Sequence, residues 1–431
     1  MKAYRASILR FAPNHTAIYD ADGLVLVGGD GKVAAVGDYA SLRGRLESDW
    51  LQVAVEHHPG KIIAPGFVDM HVHYPQIDVI GSPADGLLPW LNNHTFPEEK
   101  RFLTREYSAQ AAKFFIAELL RNGVTTALTF ATSHVTSVDA LFEAAQASGL
   151  RIITGKCLQD RNCPDGVRDE TEQSLLDTQA LIMRWHNHGK LGYAITPRFA
   201  PSCSDAQLQG AGELARKHPT VWVQSHVAEN VQEIAWAKEL FPKARSYLGV
   251  YDDFGLLRQR SVYAHCIHLD DMDRALMLSR GAAAAVCPTS NLFLGSGFFD
   301  YAKADAAGMP YGLASDVGGG TSFSPFKTML AAYYVARSSA LTGGTAKQAI
   351  TLSPQQLWWQ HTAGAAKALG LGGVVGNLAV GCDADFIILN KTATPLLARR
   401  TARAQNLDEL LFALIVLGDE RVVERVEVAR P

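Results

Sequence analysis

The sequence predicts an α/β fold: a (β/α)₈ TIM-like barrel with a small β-sandwich domain formed by the N- and C-terminal segments. Three observations predict it. Eight near-continuous apolar runs, each ending in polar residues, alternate with stretches of helical periodicity, which is the pattern of parallel strands buried on both faces. Strand-like segments lie outside that alternation at both chain ends. A chain of 431 residues that is 48% hydrophobic is long enough to fill a large barrel with an appended domain.

The N-terminal part of the small domain is expected over residues 1–64, where "GLVLVGGDGKVAAVG" reads as two strands joined at a Gly-Asp-Gly turn. The barrel is expected over residues 65–372. Its runs are "APGFVDMHVH", "GVTTALTFAT", "RIITGKCLQD", "LGYAITPRFAP", "TVWVQSHVAEN", "SVYAHCIHL", "GAAAAVCPTSN" and "MPYGLASD", separated by helical stretches such as "EYSAQAAKFFIAELLRNG". The segment 373–431, with a terminal helix, completes the small domain through "VGNLAVGCDADFIILN" and "ERVVERVEVARP".

Composition excludes several classes of function. Forty basic against 43 acidic residues, for a formal net charge of -3, provide no field for gripping nucleic acid or an anionic membrane. A small-molecule partner is expected instead. The six cysteines, Cys157, Cys163, Cys203, Cys266, Cys287 and Cys382, form no C-x-x-C pair, so they read as reduced thiols. The N-terminus lacks the apolar core of a signal peptide and "LLFALIVL" is too short to span a bilayer, so the expected compartment is the cytoplasm.

In such barrels the C-terminal strand ends line the active site. His71 and His73 end the first run, His226 and Glu229 the fifth, His265 the sixth and Asp316 the eighth. Residues i and i+2 of a strand point to one side, so His71 and His73 can present both imidazoles to one point. His226 and Asp316 would complete an N₃O set suited to Zn²⁺ or Fe²⁺. A lone histidine would read more simply as a strand cap, but agreement among four ligands at three strand ends favours a metal. His57, His58, His186, His188 and His218 fall in polar surroundings and read as solvated, and His134 and His268 as structural. Lys156 lies inside the third run and is poorly placed to bridge two metals, so the site is expected to be mononuclear.

The stretches "PGFVDMHVHYPQ", "LPWLNNHTFPEE", "TPRFAPSCS", "QSHVAEN", "CPTSNLFLGSGF" and "LASDVGGG" together resemble the amidohydrolase superfamily and, within it, the guanine deaminase family. The resemblance implies one Zn²⁺ per subunit, with Fe²⁺ possible, held by His71, His73, His226 and Asp316. It implies Glu229 as proton shuttle, with His265 and Asp316 as catalytic partners. It assigns Gln76, Arg198 and Phe199, with Glu229, to the purine, and Leu88 and Trp90 to the pocket wall. The implied reaction is hydrolysis of guanine to xanthine and ammonia, in purine catabolism, by a homodimer.

That chemistry suits the residues. Attack at guanine C2 pushes electron density onto N3, which must be protonated, and Glu229 would need a pKa near the working pH to take a proton and then give it. A guanidinium presents paired donors to the O6 and N7 acceptors of guanine, as Arg198 would, and Gln76 offers both a donor and an acceptor. The absence of a P-C-x-x-C motif excludes the other class of zinc deaminase. A relative acting on another amino- or chloro-heterocycle, and a non-catalytic scaffold, are the alternatives. A scaffold would have lost ligands or the glutamate, and none is missing here.

Overall fold

Both chain ends contribute to one sheet. The computed structural model describes residues 1–48, 50, 53–83, 85–341 and 348–429. Strands β1 (Lys2–Phe11), β2 (Ala17–Val27), β3 (Val33–Asp38) and β4 (Val55–Pro65) come from the N-terminal segment. The turn between β2 and β3 is the expected one: Gly31 takes a φ of 76°, strained for a side-chain-bearing residue, while Asp30 accepts from the Lys32 amide.

Eight parallel strands follow: β5 (Phe67–His73), β6 (Val124–Phe130), β7 (Arg151–Gly155) continued by the two-residue β8 (Cys157–Leu158), β9 (Gly192–Pro197), β10 (Trp222–Val227), β11 (Ser261–His265), β12 (Ala283–Val286) and β13 (Tyr311–Leu313). They coincide with the eight apolar runs. β14 (Phe386–Leu389) and β15 (Val423–Glu427) then return to the first sheet, whose order is β15-β14-β4-β1-β2-β3. Hydrogen bonding makes it a single mixed sheet of six strands rather than two stacked sheets. Its two faces bury separate apolar clusters, around Ile8 and Phe386 on one side and Leu24 and Leu46 on the other. Of the C-terminal run, Arg430 and Pro431 lie outside the described residues. The helices Pro395–Thr401 and Leu407–Leu417 place Leu397, Leu411 and Leu414 in the main cluster that surrounds the barrel.

The barrel interior is filled by Val68, Met70, Leu128, Ile153, Val262 and the small residues of β12, with Ala365 and Ala366 packed into the same cluster. A register shift between Asp69 and Val72 of β5 matters for the site. Val68 and Met70 belong to the interior cluster, but Val72 belongs to the outer one. One extra residue therefore changes the phase of the strand, and after it the odd-numbered positions His71 and His73 turn inward. Between β13 and β5 the barrel closes through Asp316 N–H to His71 O (2.9 Å) and His73 N–H to Val317 O (2.8 Å). The closing seam thus brings the His-x-His segment against Asp316. All six cysteines are free, and among the described residues no helix is long and apolar enough to cross a membrane.

Candidate active site

The C-terminal strand ends depart from regular geometry where the polar residues sit. Ala228, His265, Cys266 and Asp316 all have positive φ, between 51° and 70°. Each costs on the order of 1–3 kcal/mol in a residue with a side chain, so the surrounding barrel must hold them there. The effect is to turn side chains from the strand ends into one buried pocket.

Four of the expected residues converge. His73 Nε2 lies 3.1 Å from His71 Nε2 and 3.2 Å from His226 Nε2. Asp316 Oδ1 is 3.1 Å from His71 Nε2 and 3.4 Å from His73 Nε2. The His226 tautomer is fixed, because its Nδ1–H donates to the Arg198 carbonyl at 2.6 Å and leaves Nε2 bare. Burial, and for His73 and His226 the neighbouring imidazoles, hold the pKa values of His71, His73 and His226 below the usual histidine range. Burial would raise the Asp316 carboxyl, but the His71 ring beside it brings it down to about 2. Three neutral imidazoles and one carboxylate are the protonation states that ligation requires.

The spacing tests the metal. Ligands about 2.0–2.1 Å from a tetrahedral ion lie roughly 3.3–3.4 Å from one another. The four contacts above run from 3.1 to 3.4 Å. His73 Nε2 faces two other ring nitrogens and a carboxylate oxygen, and one proton cannot satisfy all three. A divalent ion fits this donor set.

Glu229 and His265 stand beside it. Glu229 Oε2 is 3.3 Å from His265 Nε2, and Oε1 accepts from Ser296 Oγ at 2.9 Å. Burial raises the Glu229 carboxyl to about 7. Burial opposes charge on His265, but Glu229 and Asp316 outweigh it and raise its pKa. His265 Nδ1 meets Asn291 Oδ1 at 2.9 Å, which directs Nε2 toward the carboxylates. The pair can therefore hold a proton and release it near neutral pH.

One pocket opens beside these groups. Gln76, Trp90, Arg198, Phe199 and Glu229, all expected near the substrate, line it. Leu88 does not. Leu87, one helical turn before Trp90 in the helix Leu87–Trp90, lines the cavity in its place, and Leu88 is rotated away by the 100° that separates consecutive helical residues. Arg198 is buried and paired end-on with Glu99, NH1 to Oε2 at 2.6 Å and NH2 to Oε1 at 2.9 Å. Phe96, one turn before Glu99, lies 5.0 Å from the guanidinium carbon.

Glu99 and Phe96 carried no assignment from sequence, although both belong to the stretch "LPWLNNHTFPEE". Glu233 was also missed. It lines the pocket, accepts from Tyr247 OH at 2.6 Å and from the Glu229 amide at 3.1 Å, and so fixes the backbone under the shuttle candidate. Its signal was the Asn230-x-x-Glu233 capping box at the start of the helix Val231–Leu240. The other histidines stay out of the site. His186 differs from the expected solvated state: Nδ1 accepts from the Tyr193 amide, Nε2 meets Thr220, and burial lowers its pKa to about 4. Lys156 is engaged in a buried ion pair with Asp169.

Known proteins share this fold. The model of the amidohydrolase family matches residues 62–426. A guanine deaminase of Escherichia coli (strain K12) is 42% identical over 98% of this chain and 92% of its own length. The solved structure of an E. coli guanine deaminase superposes with a TM-score of 0.93 at 41% identity, covering 100% of this chain and 98% of that one. The structure of a guanine deaminase from C. acetobutylicum, with guanine bound in its active site, has a TM-score of 0.91 at 32% identity, covering 99% and 98%.

Proposed function

The chain belongs to the amidohydrolase family, and on that footing we propose that it catalyses the hydrolytic deamination of guanine to xanthine and ammonia. One observation supports this above the others. One pocket is lined by His73, His226 and Asp316, with His73 Nε2 3.1–3.4 Å from donor atoms of His71, His226 and Asp316, by Glu229 with its carboxyl poised near neutrality, and by the buried Arg198.

His71, His73, His226 and Asp316 would hold one Zn²⁺ per subunit, with Fe²⁺ as the alternative that the same donors accept. When bound, such an ion lowers the pKa of a coordinated water toward about 7 and so supplies a nucleophile at neutral pH. Glu229, ionised at the start, takes the proton that the attacking water gives up. It then delivers that proton to guanine N3 as C2 becomes tetrahedral. His265, held by Asn291, hydrogen-bonds at the same place and balances the charge that builds there. Asp316, whose carboxyl stays ionised, accepts a hydrogen bond from the water and orients it. Glu229, ionised again, then takes the proton of the new C2 hydroxyl and passes it to the departing amine, so that the C2–N bond breaks, ammonia leaves and C2 becomes the carbonyl of xanthine. Arg198 and Gln76 hold the far edge of the purine, and Phe199 and Trp90 flank its plane.

A homodimer in the cytoplasm acting in purine catabolism completes the reading. The free cysteines support a reducing compartment. The test is direct: metal-replete protein incubated with guanine should yield xanthine and ammonia in equal amounts. No ammonia from guanine, alongside turnover of another amino- or chloro-heterocycle, would overturn the assignment.

A further inference from the structure

The stretch "LPWLNNHTFPEE" resembles the family, but nothing in the reaction above uses its acidic end. Glu98 keeps to the pocket's outside, pairing with Arg101 at 2.9 Å. Glu99 is fully buried, and its two oxygens meet three donors: Arg198 NH1, Arg198 NH2 and, at 3.3 Å, Gln76 Nε2. All three belong to residues of the purine wall.

Those contacts decide what the wall offers. A carboxylate can only accept, so Gln76 must turn its NH₂ group toward Glu99. The other end of the same amide agrees, because Gln76 Oε1 accepts from the Gly318 amide at 3.3 Å. Two independent partners thus fix one flip state. Gln76 Oε1 is directed at a backbone donor, and the side-chain hydrogen left over is the second N–H. On Arg198, Glu99 engages two of the five guanidinium hydrogens, and the remaining three are donors too. Phe96 stacks against the guanidinium and limits its movement.

We propose that Glu99 is a positioning residue that makes this wall a donor-only surface, selecting purines with a 6-oxo group over purines with a 6-amino group. The assignment rests on the purine reading above. The O6 and N7 of a 6-oxopurine are both acceptors and match such a wall. A 6-amino group brings its own N–H donors against N–H donors, and a site built for hydrogen bonds discriminates strongly against a mismatched partner. A buried carboxylate paired with arginine could instead serve the fold alone. Ligand selectivity separates the two roles, since a merely structural pair would not read position 6.

Glu99→Gln removes one of the two partners that fix the flip, because an amide has one donor end and one acceptor end. The Gln76 amide, held in that state only by the 3.3 Å contact to the Gly318 amide, can then present its oxygen to the pocket. The experiment measures equilibrium binding of hypoxanthine and adenine, which differ at C6 and both lack the 2-amino group, in the metal-replete wild type, Glu99→Gln and Glu99→Asp. It also measures kcat and KM for guanine and 2,6-diaminopurine. Wild type should favour hypoxanthine over adenine by about 100-fold or more, and Glu99→Gln should cut that preference at least about 10-fold. KM for guanine should rise about 50-fold with kcat within about 5-fold, while kcat/KM for 2,6-diaminopurine changes less than about 5-fold. Glu99→Asp, which keeps the charge, should restore part of the preference, and it carries the same comparison if Glu99→Gln does not fold. An unchanged hypoxanthine-to-adenine ratio in a folded variant overturns the proposal, even if both affinities fall. Failure of the wild type to deaminate guanine would count against the functional reading instead, and the two binding ratios would still report on Glu99.

Discussion

The proposed ligand cluster around His73 and the proposed donor wall of Arg198 and Gln76, held by Glu99, border one pocket, yet different forces hold them. The cluster stands on strand ends. The period of β5, the bulge after Asp69 and the seam between His71 and Asp316 set its geometry through the backbone. The donor wall depends on side chains holding side chains: a short helix carries Phe96 and Glu99, and Glu99 holds Arg198 and Gln76. The proposed chemistry sits on the strand-end side, where small errors in position are most costly. The proposed recognition sits on the side where one substitution can change the pattern of donors.

The largest expected effect tests the strand-end side. Glu229→Gln keeps the shape and leaves all four proposed ligands in place, so the variant should retain its metal by elemental analysis while kcat falls about 10³-fold. The wild-type rate should rise with pH through an apparent pKa near 7, because the buried Glu229 carboxyl must be ionised before it can accept a proton, and its pKa is raised to about 7. That pKa belongs to Glu229 and His265 together. The rising limb should vanish in the variant. A retained limb would move the proton transfer to another group.

The same contrast governs what could be read from sequence. His71, His73, His226, Glu229, His265 and Asp316 were legible because strand ends in a barrel point to a common centre, and the eight apolar runs locate those ends. Arg198 and Gln76 were reached only through resemblance, since neither periodicity nor spacing says which way a loop side chain faces. Glu99 was not reached at all. It becomes visible only when the fold brings it to Arg198 across 99 positions of chain. The β5 bulge was equally hidden, because "FVDMHVH" gives no sign of where its alternation slips. The small sheet was anticipated from the two chain ends, but its single path of six strands depends on the long-range pairing of β4 with β14.

Burial alone does not make a histidine part of the site, and His361 provides the check. It is as buried as the ligand histidines, donates from Nδ1 to Val68 O at 3.0 Å, and burial lowers its pKa to about 4. A folded-state pKa below the unfolded value of about 6.5 means that stability is fully present above pH 6.5 and is lost as pH falls toward 4. The loss amounts to about 3 kcal/mol over that window. His361→Asn keeps a donor near Nδ1 but cannot titrate, so its urea midpoint should change less between pH 7 and pH 4.5 than that of the wild type, with the activity limb near pH 7 untouched. Equal midpoint slopes in the two proteins would show that His361 does not titrate in this range.

The smallest effect concerns the helix Leu87–Trp90, where the sequence reading chose the wrong face. Leu87 packs with Val79, Trp90 and Leu294 at the cavity edge, whereas Leu88 points away. Truncating Leu87 to alanine removes apolar surface from the pocket without touching a ligand or a proton carrier, a loss of about 1–2 kcal/mol in purine binding. KM for guanine should therefore rise roughly 5- to 30-fold with kcat nearly constant, and Leu88→Ala should change KM less than about 2-fold. Steady-state kinetics on the two single variants decides the matter, because both lose the same atoms and differ only in helical phase. A larger KM effect at Leu88 would mean that the helix turns its other face to the purine, and the wall opposite the metal would then have to be rebuilt around that residue.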